Sequence, residues 1–139
     1  MARNLKVAVL GGGQLGRMFI ENALRYEAIV HVLDPDPLAP CAKLASRFTV
    51  GDLQDFDTVV AFAGDADVVG IEIEHVNVDA LEHLQRAGKR VIPHPRVLRT
   101  IQDKGSQKLF YAEHGIPTAR FALLDDPKDI YQHTGLLPA

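Results

Sequence analysis

The sequence predicts an α/β domain built on a mostly parallel sheet. Three observations carry that prediction. Short apolar runs alternate with stretches of helical period along most of the 139 residues, which is the rhythm of βαβ units. The first apolar run empties into a glycine cluster, GGGQLG at 11–16, in which Gly11, Gly13 and Gly16 keep the G-x-G-x-x-G spacing. The second apolar run ends on Asp34-Pro35-Asp36-Pro37, about where a nucleotide-binding fold of this kind places an acidic residue. The combination is Rossmann-like, with helices on both faces of the sheet and so three layers.

Each element has a local cause. Lys6 to Leu10 is an apolar run of strand length, and Leu15 to Tyr26 shows the period of an amphipathic helix. Ile29 to Leu33 is rich in β-branched and apolar residues around His31, and the two prolines that follow forbid more strand. Phe48 to Val50 is a short third strand; Asp55 or Asp57 then caps a helix through Phe62. Val68 to Ile73 is the fourth strand, and Asn77 caps a helix that runs through Ala87 and stops at Gly88. Arg90 to Ile92 is a fifth strand halted by Pro93. Pro95 starts a helix to Gln102, and Asp103 caps another that ends near Gly115-Ile116-Pro117. Ala119 to Leu124 reads as a further strand, followed by an acidic turn and a short helix from Pro127.

Composition limits the function classes. With 47% hydrophobic and 24% charged residues the chain suits a compact globular domain. A net charge of −3 offers no general field for nucleic acid or an anionic membrane, so a bound anion needs a local site. The single Cys41 forms no internal disulfide, and no signal peptide or membrane span is evident, so the expected compartment is the cytoplasm. Cys41 follows Pro40 in a loop and has no evident His partner, which favours a structural or incidental thiol over a nucleophile. Six histidines are scattered over different elements without metal-ligand spacing, and no nucleophile elbow appears; catalytic and metal-binding residues are therefore assigned to none.

The glycine loop opens a helix whose first N–H groups and dipole favour an anion. Asp34 has two readings, a ribose-binding acid or an Asp-Pro turn residue, and the turn comes first. In Ile71-Glu72-Ile73-Glu74 the alternation suits a half-exposed edge strand, yet Val68 and Val69 precede it as a continuous apolar run. A central strand turning polar at its end points to a site, and a persisting pleat puts Glu72 and Glu74 on one face.

GGGQLGRM followed by LDPDPLAPC resembles the start of the 5-(carboxyamino)imidazole ribonucleotide synthases of the ATP-grasp superfamily. DVVGIEIEHVNVDAL, KRVIPHP and IQDKGSQKLFYAEHGIPTA resemble that family's acidic strand-to-loop motif, its next strand and its linker helix, in order and at matched intervals. Gln14 favours this family over the related formate-dependent glycinamide ribonucleotide transformylases, where Glu is usual. The resemblance implies a pre-ATP-grasp domain over residues 1–118, with linker helices, and the opening of an ATP-grasp segment over 119–139. It implies a ligase of purine biosynthesis: ATP and bicarbonate form carboxyphosphate, whose carboxyl group passes to the exocyclic amine of aminoimidazole ribonucleotide, releasing ADP and phosphate. On matched positions the ribonucleotide would meet Gly13, Gln14 and Leu15, and its ribose hydroxyls would meet Glu72, with Glu74 as a second acceptor or a loop cap. Lys104 stands where the family commonly has an Arg that meets ATP phosphates; a solvated lysine at a helix start is the other reading. Gly105 and His75 depart from the usual pattern.

The family's central ATP-grasp portion, with its magnesium carboxylates and adenine pocket, has no counterpart in these 139 residues. The expectation is a truncated or isolated domain, inactive alone and binding neither ATP nor magnesium tightly, whose partners are aminoimidazole ribonucleotide and either the absent domains or a second copy. Two other classes stay open: a dinucleotide module for NAD using Gly11, Gly13, Gly16 and Asp34, and a non-catalytic scaffold.

Overall fold

The computed structural model describes residues 4–136 in two units, one ending at Arg99 and the other beginning at Thr100. The first unit holds five strands, β1 Lys6–Leu10, β2 Ile29–Asp34, β3 Arg47–Val50, β4 Val68–Ile71 and β5 Arg90–Ile92. They form one sheet in the order β3-β2-β1-β4-β5, and every pairing is parallel. Helices α1 Gln14–Ala23, α2 Phe56–Ala63 and α3 Val78–Arg86 connect them, and α4 Pro95–Gln102 follows β5.

Parallel pairing forces each crossover to be right-handed. The β1-to-β2 connection runs toward one edge of the sheet and the β4-to-β5 connection toward the other, so α1 and α3 fall on opposite faces. On the α1 face, Val7, Val9, Val30 and Val32 pack with Ile20 and Ala23 of the helix and with Cys41. The pleat turns Ala8, Leu10 and Leu33 the other way, and these are fully buried too. That is why the strands read as continuous apolar runs: both faces of the sheet are covered where the helices lie.

The caps follow the side-chain chemistry predicted. Asp55, and not Asp57, caps α2 by accepting Thr58 N–H at 2.8 Å, and Asn77 caps α3 by accepting Ala80 N–H at 2.9 Å. The Asp55 carboxyl is held below its ordinary range by hydrogen bonds from the Thr58 side chain first and then from its backbone N–H.

Three predicted elements differ. The first helix is α-helical only to Ala23, then tightens into a 3-10 turn over Leu24–Tyr26 and ends at Glu27 in the left-handed region, φ 54°. No glycine is available there, so Glu27 takes that conformation itself while Ala28 N–H returns to Ala23 O. The fourth strand ends at Ile71 and not at Ile73. Its neighbour β1 has already turned away at Gly11, and Glu72 N–H to Leu10 O, 2.8 Å, is the last bond that ladder offers. Ala119 to Leu124 forms no strand, because a strand exists only by pairing and no described residue pairs with it.

The second unit contains the end of α4, helix α5 Lys104–Glu113, and a kinked 3-10 segment over Pro127–Leu136. Asp103 caps α5 by accepting Ser106 N–H at 2.6 Å. The same carboxylate accounts for Gly105: a Cβ there would lie 3.2 Å from Asp103 Oδ1, tight against the cap. No described helix is long and apolar enough to cross a membrane.

One buried polar group stands out in the sheet. His31, in β2, is 8% exposed and its Nδ1 has no hydrogen-bond partner. Burial first, then the charge of Arg47, pushes its pKa below the ordinary 6.5, with Lys6 acting the same way and Asp65 opposing. A histidine with a depressed folded pKa stabilises fully above the unfolded value, and that contribution is lost as pH falls below it, because the unfolded chain then takes up the proton. Urea melts at pH 7.5 and at pH 5.5 are expected to show a drop in stability toward acid. In His31→Leu that component disappears and stability at pH 7.5 is at least that of the parent, since an unpaired buried nitrogen is removed.

Candidate functional site

Strands β1 and β4 are neighbours whose connections leave in opposite directions, so a crevice opens beyond their C-terminal ends. The glycine loop rises from β1 on one side, and the bend at 72–74 rises from β4 on the other. Glu72 is the first residue of that bend and leans over the loop. A Cβ placed on Gly11 would lie 2.7 Å from Glu72 Oε2, and one on Gly13 would lie 2.7 Å from Glu72 Oε1. Gly11 is also in a backbone region that L side chains rarely adopt, φ 103°. Gly16 is needed for a different contact: its Cβ would meet Cys41 Sγ at 3.1 Å and Gly11 O at 3.2 Å. The three glycines thus make room for a carboxylate, for a turn and for close packing of helix on loop.

The loop is fixed from the β2 side. Gly11 N–H reaches Leu33 O at 2.9 Å, Gly12 N–H reaches Asp34 Oδ2 at 2.6 Å, and Cys41 N–H returns to Gly12 O at 3.0 Å. Cys41 is fully buried, with its thiol 3.6 Å from Gly13 O. Burial chiefly, and then the charges of Glu72 and Asp34, push that thiol's pKa up. Cys41 is therefore a neutral packing group that seats the 35–46 loop under the glycine turn.

Helix α1 starts without a side-chain cap. Gly13 is its N-cap residue, and the first helical bond is Arg17 N–H to Gly13 O at 3.1 Å, which leaves the preceding N–H groups without helical acceptors. Gln14 and Leu15 are exposed on this first turn. Beside them lies an open cavity of about 420 Å³ whose walls are Val7, Val9, Leu15, Phe19 and Ile92, with Glu72 among the lining groups. The crevice combines an apolar wall, free backbone donors and one carboxylate that accepts no hydrogen bond from the described residues. Such a carboxylate is suited to hydroxyl donors.

Gly13, Gln14, Leu15 and Glu72 are thus brought together around one crevice. The pleat that would set Glu74 beside Glu72 stops at Ile71; the chain bends over 72–74, and Glu74 is exposed with its carbonyl accepting Val76 N–H at 2.9 Å. His75 is exposed in the same bend. Lys104 belongs to the second unit, where it is the first residue of α5, is exposed, and donates to Ile101 O at 3.4 Å. Among the described residues no three His, Cys, Asp or Glu side chains converge as a metal site would require. Cys41 is the structural thiol that the sequence allows, and its seat against Gly13 O follows from the tertiary path of the 35–46 loop, which no local pattern encodes.

Residues 4–102 match the family described as the ribonucleotide synthetase preATP-grasp domain. A Vigna aconitifolia protein named phosphoribosylaminoimidazole carboxylase, chloroplastic, is 41% identical over 88% of this chain and 22% of its own length. An N5-carboxyaminoimidazole ribonucleotide synthase of Saccharolobus solfataricus is 34% identical over 89% of this chain and 32% of its own. The crystal structure of the Aspergillus clavatus N5-carboxyaminoimidazole synthase, in complex with ADP and 5-aminoimidazole ribonucleotide, superposes with a TM-score of 0.81 at 36% identity. It covers 97% of this chain and 36% of that one. The chain therefore spans about a third or less of the relatives it matches.

The glycine geometry is testable by comparing two positive-φ positions. Gly88, φ 85°, has nothing within 4 Å of an added Cβ, whereas Gly11 has Glu72 at 2.7 Å. Gly88→Ala is expected to lose roughly 1–2 kcal/mol from backbone strain alone. Gly11→Ala should lose more, because the added Cβ also meets Ile73 Cγ2 at 3.0 Å and Glu72 Cβ at 3.1 Å, which a turn of the carboxylate does not relieve, and equal losses in urea melts would contradict the packing described.

Proposed function

This chain belongs to the ribonucleotide synthetase preATP-grasp family, and on that premise we propose that it is the ribonucleotide-binding N-terminal part of an ATP-dependent ligase of purine biosynthesis. The ligand is aminoimidazole ribonucleotide, and the whole enzyme carboxylates its exocyclic amine with bicarbonate and ATP. The observation that carries the reading is Glu72: a carboxylate that accepts no hydrogen bond from the described residues, held over a glycine loop at the end of a central strand. An ionised carboxylate accepts hydrogen bonds only, so it matches the vicinal hydroxyls of a ribose, and the 5′-phosphate of the ligand lies away from Glu72. The ribonucleotide carried by the Aspergillus clavatus relative supports the same ligand class.

In this reading the Gly13, Gln14 and Leu15 turn supplies backbone and amide contacts, and the apolar wall excludes water from one side of the ligand. Glu74, exposed in the bend two residues on, is either a second acceptor for the ligand or a cap of the loop. Lys104 contributes a positive charge to ATP phosphates at the start of α5; as a lysine it does so as a point charge without the bidentate fork of arginine. The described residues offer no converging ligand set for magnesium, so the proposal assigns the metal and the phosphate chemistry to other parts of the enzyme. Residues 119–139 are read as the opening of the ATP-grasp segment, and the cytoplasm as the working compartment.

A dinucleotide module meets an obstacle here. Pyrophosphate would have to approach the loop where Glu72 already lies, and both Asp34 oxygens hold backbone N–H groups. Calorimetric titration with aminoimidazole ribonucleotide and with NAD decides between them. Binding of the ribonucleotide, weakened roughly tenfold or more by Glu72→Gln as for a hydrogen bond to a charged group, is expected. Binding of NAD without the ribonucleotide would overturn the proposal.

A further inference from the structure

Three consecutive glycines are a poor way to hold a ligand-binding turn still, because each has more backbone freedom to lose than any other residue. The structure supplies a restraint from outside the loop. Asp34 is the last residue of β2, whose backbone is fixed by β1 on one side and β3 on the other. Its side chain is divided between two backbone donors: Oδ2 accepts Gly12 N–H at 2.6 Å and Oδ1 accepts Asp36 N–H at 2.8 Å. Its carbonyl accepts Gly51 N–H at 3.2 Å, so the residue is held along its length. The contact with Gly12 is also a packing contact, since a Cβ on Gly12 would sit 3.2 Å from Asp34 Cβ.

Bonds of this kind, from a backbone N–H to an ionised carboxylate, are short and about twice as strong as neutral ones. Gly12 is the middle residue of the turn. Pinning its N–H sets where Gly13, the N-cap of α1, and the exposed Gln14 and Leu15 stand relative to Glu72.

We propose that Asp34 is a positioning residue for the ribonucleotide site: by holding the Gly12 N–H it fixes the Gly13–Leu15 turn opposite Glu72, and it does not itself recognise the ribose. The role rests on the reading of the crevice as a ribonucleotide site. It also explains why an acid stands at the end of β2 in a chain whose ribose acceptor lies at the end of β4.

The test uses the 139-residue chain, with Asp34→Ala and Asp34→Asn. Calorimetry with aminoimidazole ribonucleotide is paired with amide hydrogen exchange at Gly12 and Gly13 and with thermal melts. Asp34→Ala is expected to bind roughly tenfold more weakly, the order for losing a hydrogen bond to a charged group, and to exchange faster at Gly12. Asp34→Asn keeps one carbonyl oxygen for Gly12 and should fall between the parent and Asp34→Ala in both readouts. A residue serving stability alone would lower the melting temperature and leave affinity unchanged in the folded protein; that result overturns the proposal. If Asp34→Ala does not fold, Asp34→Asn decides, and parental exchange and affinity in it would also overturn the proposal. If the parent binds no ribonucleotide, the reading of the site fails separately. Gly12 exchange then still tests the clasp, and exchange that is the same in the parent and the variants refutes it.

Discussion

The space left by two missing Cβ atoms, at Gly11 and Gly13, is what the crevice depends on. Glu72 fills it, with a carboxylate oxygen 2.7 Å from each of the two positions. Any larger residue at either place would push the carboxylate out or the loop away. A glycine loop of this spacing is usually discussed as a cradle for phosphate. Here the same backbone closeness makes room for an acidic side chain of the protein itself. A carboxylate in that place is suited to hydroxyl donors.

The sheet order delivers this arrangement. Because β1 and β4 are adjacent and their helices leave to opposite faces, the loops after them face each other. The sheet stops supporting both at the same level: Gly11 turns out of β1 and Ile71 is the last residue of β4. Glu72 N–H to Leu10 O is the final ladder bond, so the backbone of Glu72 is held by the sheet while its side chain is released into the crevice. Asp34, Leu33 and Cys41 tie the loop from the β2 side. The charges therefore come from strand ends with fixed positions and not from mobile loop tips.

Much of this was legible in the residues. The strand runs, the proline stops and the caps at Asp55, Asn77 and Asp103 are local chemistry, and the structure places them as the patterns indicate. The grouping of Gln14, Leu15 and Glu72 is what the family resemblance implies, and such a resemblance carries long-range information that periodicity does not. What could not be read was pairing. Ala119 to Leu124 has a strand's composition without a described partner, and Glu74 has a strand's alternation just beyond the point where its neighbours end. The turn reading of Asp34 was right in kind, yet its link to Gly12 spans 22 residues and follows only from β1 and β2 being paired.

The most direct measurement of the central claim compares aminoimidazole ribonucleotide with its 2′-deoxyribose counterpart in binding to this chain. If Glu72 accepts the ribose hydroxyls, losing one of them leaves a carboxylate poorly paired, and affinity should fall by roughly tenfold or more. Equal affinity for the two would mean that the carboxylate over the glycine loop does not read the sugar, and would contradict the account.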